Sequence, residues 1–273
     1  MLSRTRLGVA GWPVGHSKSP TMHNAALAHV GLGTWRYQLL PIPPELFQET
    51  VRGLAGAGFA GINVTIPHKE AALALADEAT TTARAVGAAN MLTFTQDGVI
   101  SADNTDVTGL LSSIPDAHAP RGRIALVLGA GGAGRAAAYA LQTAGAAQVR
   151  VFNRTRERAH RLAADLQVTA VDRLEAADIV VNATSAGLQD DSDPFKELPG
   201  LVDTFGAGSL VVDMVYRPGG TSLLATARSR GADVVEGSEI LVAQGAASFE
   251  RWTGRPAPID VMRRAVAAPD RPR

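Results

Sequence analysis

The sequence predicts an α/β fold in two domains, and three observations carry that expectation. Strand-like and helix-like segments alternate from end to end, the pattern of largely parallel sheets covered by helices. A glycine-rich turn, G-A-G-G-A-G at residues 129–134, joins one such strand to one such helix. Between the halves, "SSIPDAHAPRGR" (residues 112–123) carries two prolines and a glycine and reads as a linker. The expected division is residues 1–112 for one domain and 118–237 for another, and 273 residues suffice for two buried cores.

Each element has its own local reason. "RLGVAGW" is a first strand, followed by a helix over residues 20–29 with Ser19 as N-cap and Pro20 at the first helical position. "TWRYQLLPI" is a second strand, and a helix follows Pro43-Pro44. Residues 61–78, "GINVTIPHKEAALALADE", begin with β-branched Ile62, Val64 and Ile66 and continue as an Ala/Leu helix. Lys69 falls in that helix's first turn, where the macrodipole disfavours a cation by about 0.3–1 kcal/mol. Either it is a solvated residue tolerated at small cost, or it is placed for work. Asp97-Gly98 between two apolar runs predicts a hairpin.

In the second half "RIALVL" is a strand, and the alanine-rich helix after the glycine turn ends at Gly145. "QVRVFNR", "DIVVNAT" and "LVVDMVY" are further strands. "GSEILVAQGAASFERW" is a helix with Ser238 as N-cap, and the closing "AAPDRPR" reads as a frayed tail.

Composition excludes several classes. Charged residues are 19% of the chain with formal net charge +0, which argues against a nucleic-acid binder. No apolar run reaches the ~18 residues of a membrane span, and "MLSRTRLGVAGW" does not read as a signal peptide. Zero cysteines leave no disulfide framework and no thiolate chemistry. A cytoplasmic protein is expected, with monomer and homodimer both open.

The strand–turn–helix context turns G-x-G-x-x-G into a dinucleotide signal. Gly129 permits the tight turn, Gly131 lets a pyrophosphate approach the backbone, and Gly134 packs helix on sheet. An NAD site places a carboxylate about 20 residues on. Here that strand end carries Asn153, Arg154 and Thr155, with Arg156 and Arg158 behind, and the first carboxylate is Glu157. Guanidinium groups pair with a 2′-phosphate that a carboxylate would repel, so the expected cofactor is NADP. Arg156 reads equally well as an ordinary solvated arginine. The cofactor set expected from the turn and the strand end is Gly129, Gly131, Gly132, Ala133, Gly134, Asn153, Arg154, Thr155 and Arg158.

The first half collects neutral polar residues suited to a polyhydroxylated ligand: Ser17 and Ser19 after the first strand, Thr65, Asn90, Asn104 and Thr105. With them come Lys69 and Asp106, and Gln244 lies in an otherwise apolar helix near the C-terminus. In order, the chain shows H-S-x-S-P-x-x-H-N (16–24), N-V-T-x-P-x-K (63–69), G-A-x-N (87–90) and D-N-T-D (103–106). G-A-G-G-A, N-R-T, N-A-T-x-x-G (182–187) and D-M-x-Y-x-P (213–218) follow. Over nearly its full length the sequence resembles the shikimate dehydrogenase family.

The resemblance implies an N-terminal substrate domain completed by returning C-terminal helices (238–273), a Rossmann-type NADP domain, and reversible reduction of 3-dehydroshikimate to shikimate, a step towards chorismate and the aromatic amino acids. It implies that Ser17 and Ser19 bind the substrate carboxylate and that Thr184, Met214 and Gly237 join the cofactor set. Thr65, Lys69, Asn90, Asp106 and Gln244 would hold the ring hydroxyls, with Tyr216 close by, and Lys69 and Asp106 would be the catalytic pair. Lys69 would either shuttle the proton of the reacting oxygen or act as a fixed cation beside it. Three departures stand out: Met91 where the family commonly has Thr, Val107 where it has Gly, and Gly134 where it often has Ser or Ala.

Other residues carry less. His16 and His23 lack the partners of a catalytic triad, and the six histidines show no metal-ligand spacing, so no metal is expected. His68 is expected to face solvent, Trp12, Trp35 and Trp252 to pack, and Asp213 to be a strand-end hydrogen-bond partner. The alternatives are a quinate or aminoshikimate dehydrogenase of the same family, or a non-catalytic NADP-binding sensor.

Overall fold

The computed structural model describes residues 5–187, 193–217 and 219–268. The chain divides into two compact units, one running through residue 105 and resuming at 241, the other spanning 106–240. Pro218 and the tail beyond residue 268 lie outside the described residues.

The first unit opens with β1 (Arg6–Gly11), α1 (Ser19–His29), β2 (Arg36–Pro41), α2 (Phe47–Leu54) and β3 (Phe59–Val64). It continues with α3 (Lys69–Leu75), β4 (Glu78–Ala79), α4 (Thr81–Val86), β5 (Met91–Phe94) and β6 (Ile100–Asp103). The sheet order is β2-β1-β3-β5-β6-β4. β1 runs parallel to β2 and β3, whereas β5 runs antiparallel to both β3 and β6. The expected hairpin is the β5–β6 pair, and Gly98 sits in its turn at φ +86°, where only glycine is unstrained. Phe47, Ile62, Leu92 and Ile100 fill one core of this unit, each worth about 1.5–3 kcal/mol of burial.

The second unit begins with α5 (Thr105–Ser113), whose first residue still belongs to the first unit. Then come β7 (Ile124–Leu128), α6 (Gly132–Thr143), β8 (Gln148–Phe152), α7 (Arg156–Leu166) and β9 (Thr169–Ala170). β10 (Ile179–Asn182), α8 (Pro194–Glu197), β11 (Leu210–Asp213), α9 (Ser222–Ser229) and β12 (Asp233–Val235) complete it. All six strands are parallel, in the order β12-β11-β10-β7-β8-β9. β10 and β11 are buried at every residue, which is why they read as unbroken apolar runs rather than alternating ones. Strand order reverses between β7 and β10, and ligands of such sheets bind outside the strand ends at that reversal. β12 is three residues long, too short to leave a readable pattern of its own.

The C-terminal helices α10 (Gly237–Thr253) and α11 (Ile259–Ala267) return to the first unit from residue 241. α11 lies against α1, and Trp252 of α10 donates its indole N–H to the Leu92 carbonyl at 3.2 Å. Gly61 makes room for that ring, since a Cβ there would lie 2.1 Å from Trp252 Nε1 and 2.5 Å from the Leu92 oxygen. Of the three tryptophans, Trp252 is buried as expected, whereas Trp12 is 47% exposed and not a packing residue.

Two expected caps are corrected. Ser19 is the first residue of α1 rather than its cap; Lys18 holds the cap position and the Ser19 N–H bonds Ser17 Oγ at 3.3 Å. Ser238 lies inside α10, which starts at Gly237. There the backbone already turns against the Asp213 and Val215 carbonyls, 2.8 and 2.6 Å from where a Cβ would be.

Candidate functional site

In the first unit the polar residues gather where β1, β3 and α10 meet the segment before β5. Thr65 follows β3, its N–H held by the Ala10 carbonyl at 2.8 Å. Lys69 is the first residue of α3, as its sequence position suggested, and is half-buried. Its carbonyl accepts the Ala89 N–H at 2.8 Å, which sets the helix start beside residues 89–90. Asn90 is 2% exposed. Its Oδ1 accepts the Thr105 N–H at 2.7 Å, and its Nδ2 reaches Thr105 Oγ1 at 3.0 Å and Gln244 Oε1 at 3.4 Å. Asp106, next along the chain from Thr105 in the first turn of α5, is 6% exposed. Asn104 is turned inward, donating to the Ala88 carbonyl at 2.8 Å. Ser17 and Ser19 form their own turn at the start of α1, with Ser17 half-buried and Ser19 4% exposed.

His68 is the clearest correction. It is 2% exposed rather than solvent-facing, stacked on Phe47 at 4.3 Å, with Nε2 at 2.7 Å from the Ile42 carbonyl. Burial lowers its pKa, with the Ile42 bond acting in the opposite sense. The apolar ring of Phe47 supplies the partner that its neighbours in sequence do not reveal.

The second unit holds a cavity of about 210 Å³ lined by Gly129, Ala130, Gly131, Asn153, Arg154, Thr155, Arg158 and Thr184, among others. Gly129 has φ +103°, and Gly131 faces open space, leaving room for a ligand to reach the backbone. Asn153 braces the turn, accepting the Ala130 N–H at 3.1 Å and donating to the Thr155 carbonyl at 2.8 Å. Gly132, Ala133 and Gly134 open α6, whose N-terminal N–H groups favour an anion. Arg154 and Arg158 line the cavity, whereas Arg156 lies 3.5 Å from Asp172 in an exposed pair, the ordinary solvated arginine. A diphosphate over the turn and a 2′-phosphate at the arginines match this lining. Phe152, Glu197 and Leu198 also line it and had no motif to announce them, and Ser185 fills an open position of N-A-T-x-x-G.

Met214 and Gly237 are not in that cavity's lining. Met214 continues β11, its N–H on the Asn182 carbonyl at 2.9 Å. Gly237 adjoins Tyr216 in a separate small pocket with Val215 and Arg217.

Behind these loops Asp213 is a fully buried hub. Its Oδ1 accepts from Asn182 Nδ2 at 2.9 Å and from the Val215 N–H at 3.1 Å, and its Oδ2 accepts from Thr221 Oγ1 at 2.7 Å. Burial raises its pKa from 3.8 to about 6, against the lowering effect of those three bonds. A raised carboxyl binds its proton more tightly in the folded state. Its stabilising contribution is full below pH 3.8 and is lost as pH rises through about 6, some 3 kcal/mol. Asp213→Asn is therefore expected to flatten stability against pH over that window, read by far-UV circular dichroism in urea. Parallel curves for variant and wild type would refute the burial argument.

Family models match along the chain: the shikimate dehydrogenase substrate binding domain over residues 9–92, shikimate / quinate 5-dehydrogenase over 116–189, and the shikimate 5′-dehydrogenase C-terminal domain over 237–267. The shikimate dehydrogenase (NADP(+)) of Paracoccus denitrificans is 44% identical, covering 96% of this chain and 95% of that one. The chain belongs to the shikimate dehydrogenase family. The crystal structure of the Thermus thermophilus shikimate 5-dehydrogenase, in complex with NADP(H) and shikimate, superposes with TM-score 0.86 at 40% identity, over 96% of this chain and 98% of that one. The 5-ketofructose reductase of a Gluconobacter strain superposes with TM-score 0.83 at 29% identity, over 97% and 99%. The shikimate dehydrogenase fold thus carries more than one named substrate, and residues rather than topology must choose.

Two departures from the family pattern resolve here. Met91 is 1% exposed and Val107 8% exposed, so both side chains belong to packing. At Gly134 an added Cβ would lie 2.0 Å from the Gly129 carbonyl oxygen, so in this shikimate dehydrogenase chain the turn closes more tightly on the helix than a side chain permits. No cluster of metal-ligating side chains occurs among the described residues, and none of their helices is long and apolar enough to cross a membrane.

Proposed function

We propose that this protein is the NADP-dependent dehydrogenase that interconverts 3-dehydroshikimate and shikimate, with Lys69 and Asp106 as its catalytic pair. The observation that carries the reading is the bonding around residues 89–90. Ala89 holds the carbonyl of Lys69, and Asn90 holds Thr105, the residue before Asp106, together with Gln244. One short segment thus ties down both members of the pair and two amide side chains able to grip hydroxyls.

NADPH, when bound, supplies the hydride that reduces the carbonyl carbon. Lys69 gives the proton that the resulting alkoxide requires, or holds a positive charge against it, and Asp106 accepts a hydrogen bond from the same hydroxyl. Ser17 and Ser19 bind the carboxylate. Thr65, Asn90 and Gln244 hold the ring hydroxyls, and Tyr216 is assigned to the same substrate. Gly129, Gly131, Gly132, Ala133 and Gly134 cradle the diphosphate. Asn153, Arg154, Thr155 and Arg158 take the 2′-phosphate, and Thr184, Met214 and Gly237 shape the remaining cofactor wall. The partners are small molecules, and the protein works in the cytoplasm as one copy or two. A cysteine-free chain suits that reducing compartment.

The test is absorbance at the NADPH band with shikimate, quinate and 5-ketofructose (the last with NADPH), offering NADP and NAD in parallel. Reduction of NADP by shikimate well above the other pairs is the expected result. A preference for quinate, 5-ketofructose or NAD would move the protein to a sister activity, and binding of NADPH without turnover would favour a sensor. Arg154→Ser is expected to raise KM for NADP about 10–100-fold, the worth of a charge-assisted hydrogen bond, while leaving KM for NAD near its starting value. Equal effects on both cofactors would sink the 2′-phosphate assignment.

A further inference from the structure

We infer that Tyr37 and Ser248 are positioning residues that hold the Asn90–Thr105 pair, Tyr37 through the amide of Asn63 and Ser248 through that amide and its own contact with Thr105. Three buried polar groups link β2, β3 and α10. Tyr37, 3% exposed, donates its hydroxyl to Asn63 Oδ1 at 2.8 Å. Asn63, 5% exposed, spends its Nδ2 on the Asn90 carbonyl at 3.2 Å and on Ser248 Oγ at 2.9 Å. A backbone carbonyl only accepts, so the amide orientation is fixed with nitrogen towards Asn90.

Ser248 is fully buried, one helical turn after Gln244, and donates to the Gln244 carbonyl at 3.1 Å. Its only proton is thereby used. In the contact between Ser248 Oγ and Thr105 Oγ1 at 3.2 Å the donor is then Thr105, whose one proton also faces Asn90 Oδ1 at 3.2 Å, while Thr105 Oγ1 accepts from Asn90 Nδ2. Apart from that shared Thr105 proton, each hydroxyl and amide in this chain of contacts has an assigned direction. Removing one member leaves a buried donor or acceptor without its partner, and the next group along is free to rotate.

Tyr37 is also pinned from the other side. Asn24 of α1, the helix that Ser19 opens, accepts the Tyr37 N–H at 2.9 Å and donates to the Tyr37 carbonyl at 2.8 Å. The helix bearing the serine turn and the strand end bearing Asn90 therefore share one rigid polar link. Neither Tyr37 nor Ser248 touches substrate in this account; Tyr37 acts through Asn63, and Ser248 through Asn63 and its own contact with Thr105. The inference rests on the proposed dehydrogenase activity.

The experiment is steady-state kinetics with shikimate and NADP on the wild type, Tyr37→Phe, Ser248→Ala and the double variant, with the melting temperature of each recorded. If wild type fails to oxidise shikimate, the proposed function fails and takes this inference with it. Given wild-type turnover, each single variant should lose about tenfold in kcat/KM for shikimate, less than the ~10²-fold of a 1 Å misplacement, with KM for NADP within about twofold of wild type. The double variant should lose clearly less than the product of the two single losses, because both residues bond the one Asn63 amide. Single variants within about twofold of wild type, or losses that multiply, would overturn it. A purely structural role would lower the melting temperature and leave kcat/KM of the folded enzyme unchanged.

Discussion

Lys69→Ala is expected to lose about 10²–10⁴-fold in kcat while binding shikimate and NADP close to normally, the range of a positioned proton donor. Lys69 opens a helix whose N–H groups repel a cation, and it is half-buried there, so neither propensity nor solvation recommends a lysine. Its backbone is held independently through the Ala89 N–H, so truncating the side chain leaves the helix start in place. The change in kcat therefore reads chemistry rather than folding. An added primary amine should restore part of the rate if the lysine moves a proton, and should do nothing if it serves only as a fixed charge. Asp106→Asn tests the partner. Turnover of Lys69→Ala near the wild-type value would remove both versions of the mechanism.

The second large effect is on acid stability. His23 is fully buried, stacked on Tyr37 with ring centroids 4.3 Å apart and 4° between planes. Phe249 and Trp252 close around it at 6.3 and 5.9 Å. Neither ring nitrogen has a hydrogen-bond partner among the described residues. Burial lowers its pKa from 6.5 to about 3. The unfolded chain therefore takes up the proton first as pH falls. The stabilising contribution is complete above pH 6.5 and disappears as pH drops through about 3, roughly 3 kcal/mol of it by pH 4. His23→Phe keeps a planar ring on Tyr37 and removes the titration. Its urea midpoints between pH 7 and pH 4 should fall much less than those of wild type. All three tryptophans, Trp12, Trp35 and Trp252, belong to the first unit, so their fluorescence follows the unit that contains His23. Equal slopes for the two proteins would show that His23 is protonated in the folded state at ordinary acid pH.

Much of this was legible in the residues, for identifiable reasons. The alternation of strands and helices, the glycine turn, the Asp97-Gly98 hairpin and the helix-start lysine are local patterns, and local patterns survive in sequence. His68 did not, because what buries it is Phe47, distant in sequence and adjacent only after α2 and α3 pack. The caps failed at Ser19 and Ser238 because both helices begin earlier than the residue pattern implies, α1 by one residue and α10 by two. Asn63 opens the N-V-T-x-P-x-K block and is the one polar side chain of apolar β3, whereas Tyr37 gave no signal between Arg36 and Gln38 of β2. Gln244, Ser248 and Trp252 share a spacing of four, one face of α10, and of these the sequence singled out only Gln244, as a polar residue in an otherwise apolar helix; Ser248 proves fully buried.

Because α10 supplies Gln244, Ser248 and Trp252 to a unit whose remaining strands end before residue 105, assembly at the ribosome follows a set order. Residues 106–240 emerge as one continuous segment and can close their parallel sheet while the earlier strands still lack their last helix. The N-terminal segment must wait, with Gly61 and the Leu92 carbonyl open to water, until Trp252 has left the exit tunnel. Nascent chains arrested with residue 240 just outside the tunnel should resist protease in the second unit and be cut in the first. Protection of both at that length would show that the first unit closes without its final helices.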